Sequence, residues 1–194
     1  MKKIFFIATV LLTMMLSASD YAFAQTKHIQ FKGIPVDGTL TSFVEKLKTQ
    51  GYKLERIENE IAFLFGKFAG YSNCLIGVVS SKGTVWKVLV AFEDVDSWEV
   101  ITKQYQEFKD SFQLKYNSKP ESIESLEDLY SEGGMIYLGF KEEKNVWGSL
   151  FNVPGGCVIL EIMPGVSYGK LGLRITYQDE INTEIRKSAT IDDI

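Results

Sequence analysis

The chain has 194 residues and a formal charge of −4, with 45% hydrophobic and 24% charged residues, the balance of a globular protein rather than a disordered or fibrous one. An acidic chain without a basic run is unsuited to nucleic acid or to an anionic membrane surface, since both are held through lysine and arginine. One histidine and two distant cysteines leave too few ligands for a zinc site, and no cofactor motif stands out.

Met1, Lys2 and Lys3 give a positive start, and the apolar run from Ile4 to Leu16 is shorter than the roughly 20 residues of a spanning helix. Ala22-Phe23-Ala24 follows, the small-x-small pattern of a signal peptidase site. Residues 1–24 are therefore expected to be a signal peptide, with the mature protein starting at Gln25, exported to the periplasm or secreted. No cysteine stands at that junction, and no later segment is long and apolar enough to span. Removing Lys2, Lys3 and Asp20 makes the mature chain more acidic still.

His28 to Phe31 reads as a short strand, followed by the turn-like Gly33-Ile34-Pro35-Val36-Asp37-Gly38. Thr39 or Asp37 can cap a helix carrying Leu40, Phe43, Val44 and Leu47 on one face, with Gly51 as its stop. Three strands rich in aromatic and β-branched residues follow, Ile61 to Phe68, Cys74 to Ser80 and Thr84 to Phe92, separated by turn residues. Asp96, three residues ahead of Glu99, reads as the capping pair of a second helix whose stripe is Trp98, Ile101, Tyr105, Phe108 and Phe112. Pro120 and Glu121 open a predicted shorter helix with Ile123, Leu126 and Leu129, ended by Gly133-Gly134. Four strands are then expected: Met135 to Phe140, Asn145 to Phe151, Cys157 to Ile162 and Lys170 to Tyr177. The last alternates Leu171, Leu173, Ile175 and Tyr177 with Lys170, Gly172, Arg174 and Thr176, as an antiparallel sheet with one buried and one wet face requires.

The expected fold is a single α+β domain over 25–181, an antiparallel sheet backed by helices, with tandem helix-plus-strand halves at 28–92 and 93–181. From Asn182 to Ile194 the chain is polar and reads as a frayed tail. The pair Cys74 and Cys157 stays open between one disulfide bridge and two buried free thiols acting as small apolar residues.

The stretch from Phe31 to Leu40, continued by Phe43, Leu47 and Gly51-Tyr52, resembles the opening of an uncharacterised secreted-protein family of Gram-negative gut bacteria. The likeness covers about 22 residues and implies export but no activity. The order of elements is also similar to that of the β-lactamase inhibitor protein, which implies tandem helix-and-sheet units and carries no site across.

Gly165-Val166-Ser167-Tyr168-Gly169 matches the nucleophile elbow of serine hydrolases, but strands flank it and the sole histidine, His28, precedes it, so it reads as a hairpin turn. Asp94 and Asp96 depart from a calcium loop at its sixth and twelfth positions, Glu99 and Tyr105, and read as strand-end and helix-cap residues. Glu58, Glu60, Glu142, Glu143 and Glu161 are the candidate carboxylates for acid and base chemistry. Alternation points Glu161 to water beside Cys157 and Ile159. Aromatic residues make up 13% of the chain, and Ile61 to Phe68 is apolar on both faces, more than one helical layer can cover. The leading expectation is a non-enzymatic binding module that takes a protein partner through a sheet face or edge. The rival is a carboxylate hydrolase acting on an extracellular polymer or peptidoglycan.

Overall fold

A computed structural model describes residues 27–191, so the signal segment lies outside the described residues. The chain opens with a two-residue hairpin, β1 (Gln30–Phe31) and β2 (Ile34–Pro35), turned by Lys32 and Gly33, both at positive φ. Helix α1 (Leu40–Thr49) follows, capped by Thr39, whose Oγ1 accepts from Ser42 N. It lays Phe43, Val44 and Leu47 into the core, each burial stabilising by about 1.5–3 kcal/mol. Strands β3 (Lys53–Glu58), β4 (Ile61–Phe68), β5 (Tyr71–Ser81) and β6 (Thr84–Ala91) then form an antiparallel meander.

The second half repeats this order. Helix α2 (Trp98–Tyr116) buries Ile101, Tyr105, Phe108 and Phe112, the stripe read from the sequence, and ends at Asn117 in the left-handed region. Its cap is Ser97, whose Oγ accepts from Val100 N, rather than Asp96. A meander of β7 (Glu121–Ser125), β8 (Val146–Val153), β9 (Gly156–Pro164) and β10 (Leu171–Asp179) follows. Strand β10 pairs with β6, giving one eight-stranded sheet of order β3-β4-β5-β6-β10-β9-β8-β7. The α+β class and the helix-backed antiparallel sheet are thus as the periodicity required.

Four local expectations are corrected. Glu121–Ser125 is an edge strand, not a helix. Ser122 and Glu124 turn toward α2, where Ser122 Oγ meets Ser149 Oγ at 2.7 Å and Glu124 takes the Tyr105 hydroxyl at 3.0 Å. The Met135 to Phe140 strand is helix α3 (Met135–Lys141), burying Ile136, Tyr137 and Phe140. A short apolar run without alternation does not distinguish helix from strand, and packing beside Trp98 decides it. Lys53–Glu58, exposed throughout, is an unanticipated strand held by its ladder to β4.

The fourth correction concerns the polar tail, which forms helix α4 (Glu180–Ile191). Asp179, fully buried at the end of β10, starts it: Oδ1 accepts from Asn182 N at 2.9 Å. Its Oδ2 accepts from Ile29 N at 3.1 Å, and His28 Nδ1 lies at the same distance. Asn182, also buried, donates to the carbonyls of Val36 and Val85. The N-terminal strand, the end of the sheet and α4 thus share one carboxylate and one amide. Gly155 sits beneath this junction at φ +84°, where a Cβ would lie 1.8 Å from the Lys27 carbonyl oxygen.

The disulfide alternative is also corrected: both cysteines are free. Leu75, next to Cys74, is level with Ala91, Arg174 and Glu161, whereas Cys157 is level with Gln178, Lys87 and Val79. The two thiols are three strands apart and several residues out of register. That places their Cα atoms beyond roughly 14 Å, against the 7 Å a bridge allows. Burial raises both thiols above the usual cysteine range; Cys74 is a small core group, and Cys157 is half-buried.

Replacing Asp179 by Ala removes the α4 cap and leaves the buried Ile29 N–H without its acceptor. Unfolding in urea is expected to show a loss of about 2–4 kcal/mol, with α4 and the N-terminal strand losing amide-exchange protection together.

Candidate functional site

Alternation assigns every sheet residue to one of two faces. One face carries Leu64, Ile76, Val90, Ile175, Leu160 and Phe151, all fully buried under the helices. On the other face the ladders place Phe63, Gly77, Leu89, Thr176, Ile159 and Leu150 side by side across six strands. A second row runs Phe65, Leu75, Ala91, Arg174, Glu161, Gly148 and Ile123. Phe65 is 40% and Ile123 64% exposed, and the apolar side chains between them are half-buried. Gly77 and Gly148 lower the surface within these rows, so the face is a shallow apolar trough.

Helices α1, α2 and α3 all send their apolar stripes to the opposite face, while α4 packs against β6, β9 and β10 where Asp179 leaves the sheet. Helix α4 reaches the Cys157, Gln178 and Lys87 end of this face, where Glu184 and Lys187 lie beside Cys157 and Gln178, while Phe65 and Ile123 stay exposed. Such a contiguous, partly exposed apolar face is uncommon on a monomer.

The centre of the face is charged. Arg174 Nε donates to Glu161 Oε1 at 3.0 Å, and its Nη2 lies 3.0 Å from the same oxygen. Lys87 lies on the same face two rows away, directly after Trp86, the extra residue where β6 slips register. Burial, then Arg174 and Arg186, hold the Lys87 ammonium below the usual lysine range, with Glu161 opposing them. The Trp86 ring sits 4.5 Å from Lys87 Nζ and 4.4 Å from Arg186 Cζ. Lys87 and the Arg174–Glu161 pair thus share the outer face of a chain of net charge −4.

The other residues singled out by sequence fall elsewhere. Ser167 lies in the β9–β10 turn, where Asp94 accepts its backbone N–H at 2.9 Å. His28 lies at the opposite end of β10, about 27 Å away at roughly 3.4 Å per residue, with its Nε2 3.5 Å from Asp37. Asp94 thus braces a hairpin, and Asp96 caps nothing. Glu58 pairs with Arg56 at the β3 edge, Glu60 is in the β3–β4 turn, and Glu142 accepts from the Tyr130 hydroxyl. Glu143 and Glu161 do line one groove of about 520 Å³ with Glu121, Lys141 and Arg174. Among the described residues, no group of three or more histidine, cysteine or acidic side chains is placed to hold a metal, and no helix is long and apolar enough to cross a membrane.

Lys87 and Arg186 were missed in the sequence, because only strand pairing and the fold of α4 bring them to Arg174. Compared with known families, curated proteins and solved structures, the chain matches none.

Replacing Lys87 by Met relieves a desolvated cation crowded by two arginines. The unfolding free energy near neutral pH is expected to rise by roughly 0.5–2 kcal/mol, the scale of surface-charge optimisation. Because the folded-state pKa of Lys87 lies below its ordinary value of 10.5, wild-type stability climbs as pH rises through that folded value toward 10.5. The advantage of the variant, followed by denaturation at a series of pH values, should shrink over the same interval.

Proposed function

We propose that the protein is an exported, non-enzymatic interaction module that seats a protein partner on the outer face of its sheet. The single observation that carries this reading is the apolar ladder Phe63, Gly77, Leu89, Thr176, Ile159 and Leu150, left on the side away from helices α1 to α3. The positive start, apolar run and Ala-x-Ala site at the N-terminus support export, and with it a partner in the periplasm or outside the cell.

Charge selects the partner. A second copy of this chain would set Lys87 and Arg174 against themselves, an arrangement that costs free energy in a desolvated interface. A partner with an apolar centre and one or more carboxylates satisfies both the trough and its cations. Residues that destabilise the free protein are retained where binding uses them, and crowded Lys87 fits that pattern.

A photo-reactive amino acid at Phe65 or Ile123, introduced in the organism that makes the protein, should give one saturable adduct with an acidic protein. The same probe at Leu114, 87% exposed on the far side of α2, should not. Adduct lost on Leu89→Asp in a folded protein supports the reading; equal adducts from Leu114, or none from either face position, overturn it.

A second reading rests on the groove that Glu143 and Glu161 share: a carboxylate hydrolase acting on an extracellular polymer or peptidoglycan. Against it, Glu161 Oε1 is engaged by two nitrogens of Arg174. Hydrolysis of a glycan or peptidoglycan that is abolished by Glu161→Gln with folding intact would favour this enzyme over the binding module; no turnover by the wild type removes it.

A further inference from the structure

The helix-side face of the sheet holds a second feature, unrelated to the trough. Each half supplies one long helix, α1 over β3 to β6 and α2 over β8 to β10, and the two do not meet above the seam. Beside α2, over the end of the seam, lies a cavity of about 770 Å³, within the size range of sites for drug-sized ligands. Its walls are the N-terminal strand on one side and the flank of α2 on the other.

Its floor is aromatic. Phe68, Phe108, Phe112 and Tyr177, each under 10% exposed, line it, and the Phe68 and Phe108 rings stack with centroids 6.3 Å apart. Burial, then the neighbouring Tyr116, raises the Tyr177 hydroxyl far above the usual tyrosine range. The aromatic floor asks for an apolar occupant.

The mouth is different. Lys27, Lys32 and Lys115 line it with Glu107 as the acidic member, and Lys115 Nζ rests 4.8 Å from the Tyr116 ring centre. Aromatic walls alone would also suit a quaternary ammonium. Three lysines against one carboxylate exclude that choice, because a cationic head would meet net repulsion at the point where it must sit.

We propose that this cavity binds an anionic amphiphile of the fatty-acid class, its apolar chain over Phe68, Phe108, Phe112 and Tyr177 and its carboxylate at Lys27, Lys32 and Lys115. The site is separate from the outer sheet face and does not depend on what binds there. Ordering three exposed lysines around one carboxylate makes the affinity sensitive to salt, while the chain contributes in proportion to the area it buries.

The test is calorimetric titration of the processed protein with dodecanoate, dodecanol and dodecyltrimethylammonium. Dodecanoate should bind about tenfold more tightly than either of the others, a difference of about 1.4 kcal/mol, and this advantage should fall as salt is raised. The double variant Lys32→Glu with Lys115→Glu, both exposed positions, should erase the advantage without lowering the melting temperature. Ser111→Trp, which fills the cavity from the exposed flank of α2, should abolish binding of the chain itself. Leu89→Asp on the other face should leave dodecanoate binding unchanged. Equal binding of the cationic amphiphile, undiminished binding to Ser111→Trp, or loss of binding with Leu89→Asp would each overturn the assignment.

Discussion

The ladder between β6 and β10 is the contact on which the molecule depends. Without it there are two four-stranded meanders, each with one helix and each too small to bury its own apolar residues. With it, Val88, Val90, Ile175 and Tyr177 stand side by side at the centre of the sheet, and the core runs unbroken under α1 and α2. Because the two meanders run outward in opposite directions from this seam, polar strands β3 and β7 become the edges. Their charged side chains suit that position, since charges at a sheet edge discourage pairing with another chain.

The same ladder creates both surfaces with an unmet requirement. An eight-stranded sheet has two faces, and the helices fill one. Joining the halves puts Leu89 beside Thr176 and Ile159, turning apolar residues from each half into one stripe. It also sets Lys87 and Arg174 on one face. On the helix side, the N-terminal strand and α2 leave a cleft floored by Tyr177 of β10 and Phe68 of β4. The trough and the cavity are thus consequences of one topological event, although their chemistries differ: a cationic centre in an open face, and a cationic mouth to an aromatic cleft.

Asp179 fixes the geometry at one end of that seam. A fully buried carboxylate with several donors around it holds the N-terminal strand against β10 and starts α4. The strand it holds forms one wall of the cavity, and the helix it starts brings Arg186 toward Lys87. Rigidity of both surfaces therefore depends on one polar cluster in an otherwise apolar interior, where each unsatisfied member would cost more than its bond contributes.

What the sequence determined by itself were the features that depend on local periodicity. The 3,4 spacing from Trp98 to Phe112 specified α2 and its buried face, and the alternation of Leu171 to Tyr177 specified a sheet wet on one side. Glu161 was placed on that outer side for the same reason. Asp179 before Ile181 and Ile185 was a readable helix start that the polar composition obscured. Tertiary structure alone decided the rest. Met135 to Phe140 carries no periodicity, so packing made it a helix; Glu121 to Ser125 and Lys53 to Glu58 bury no side chain, so neighbouring strands made them strands. The cysteines lie on comparable strands of the two halves, yet the antiparallel joining of β6 and β10 carries them apart. Lys87, Arg174 and Arg186 are separated by up to 99 positions in the chain, and no local pattern links residues whose proximity depends on how two sheets join.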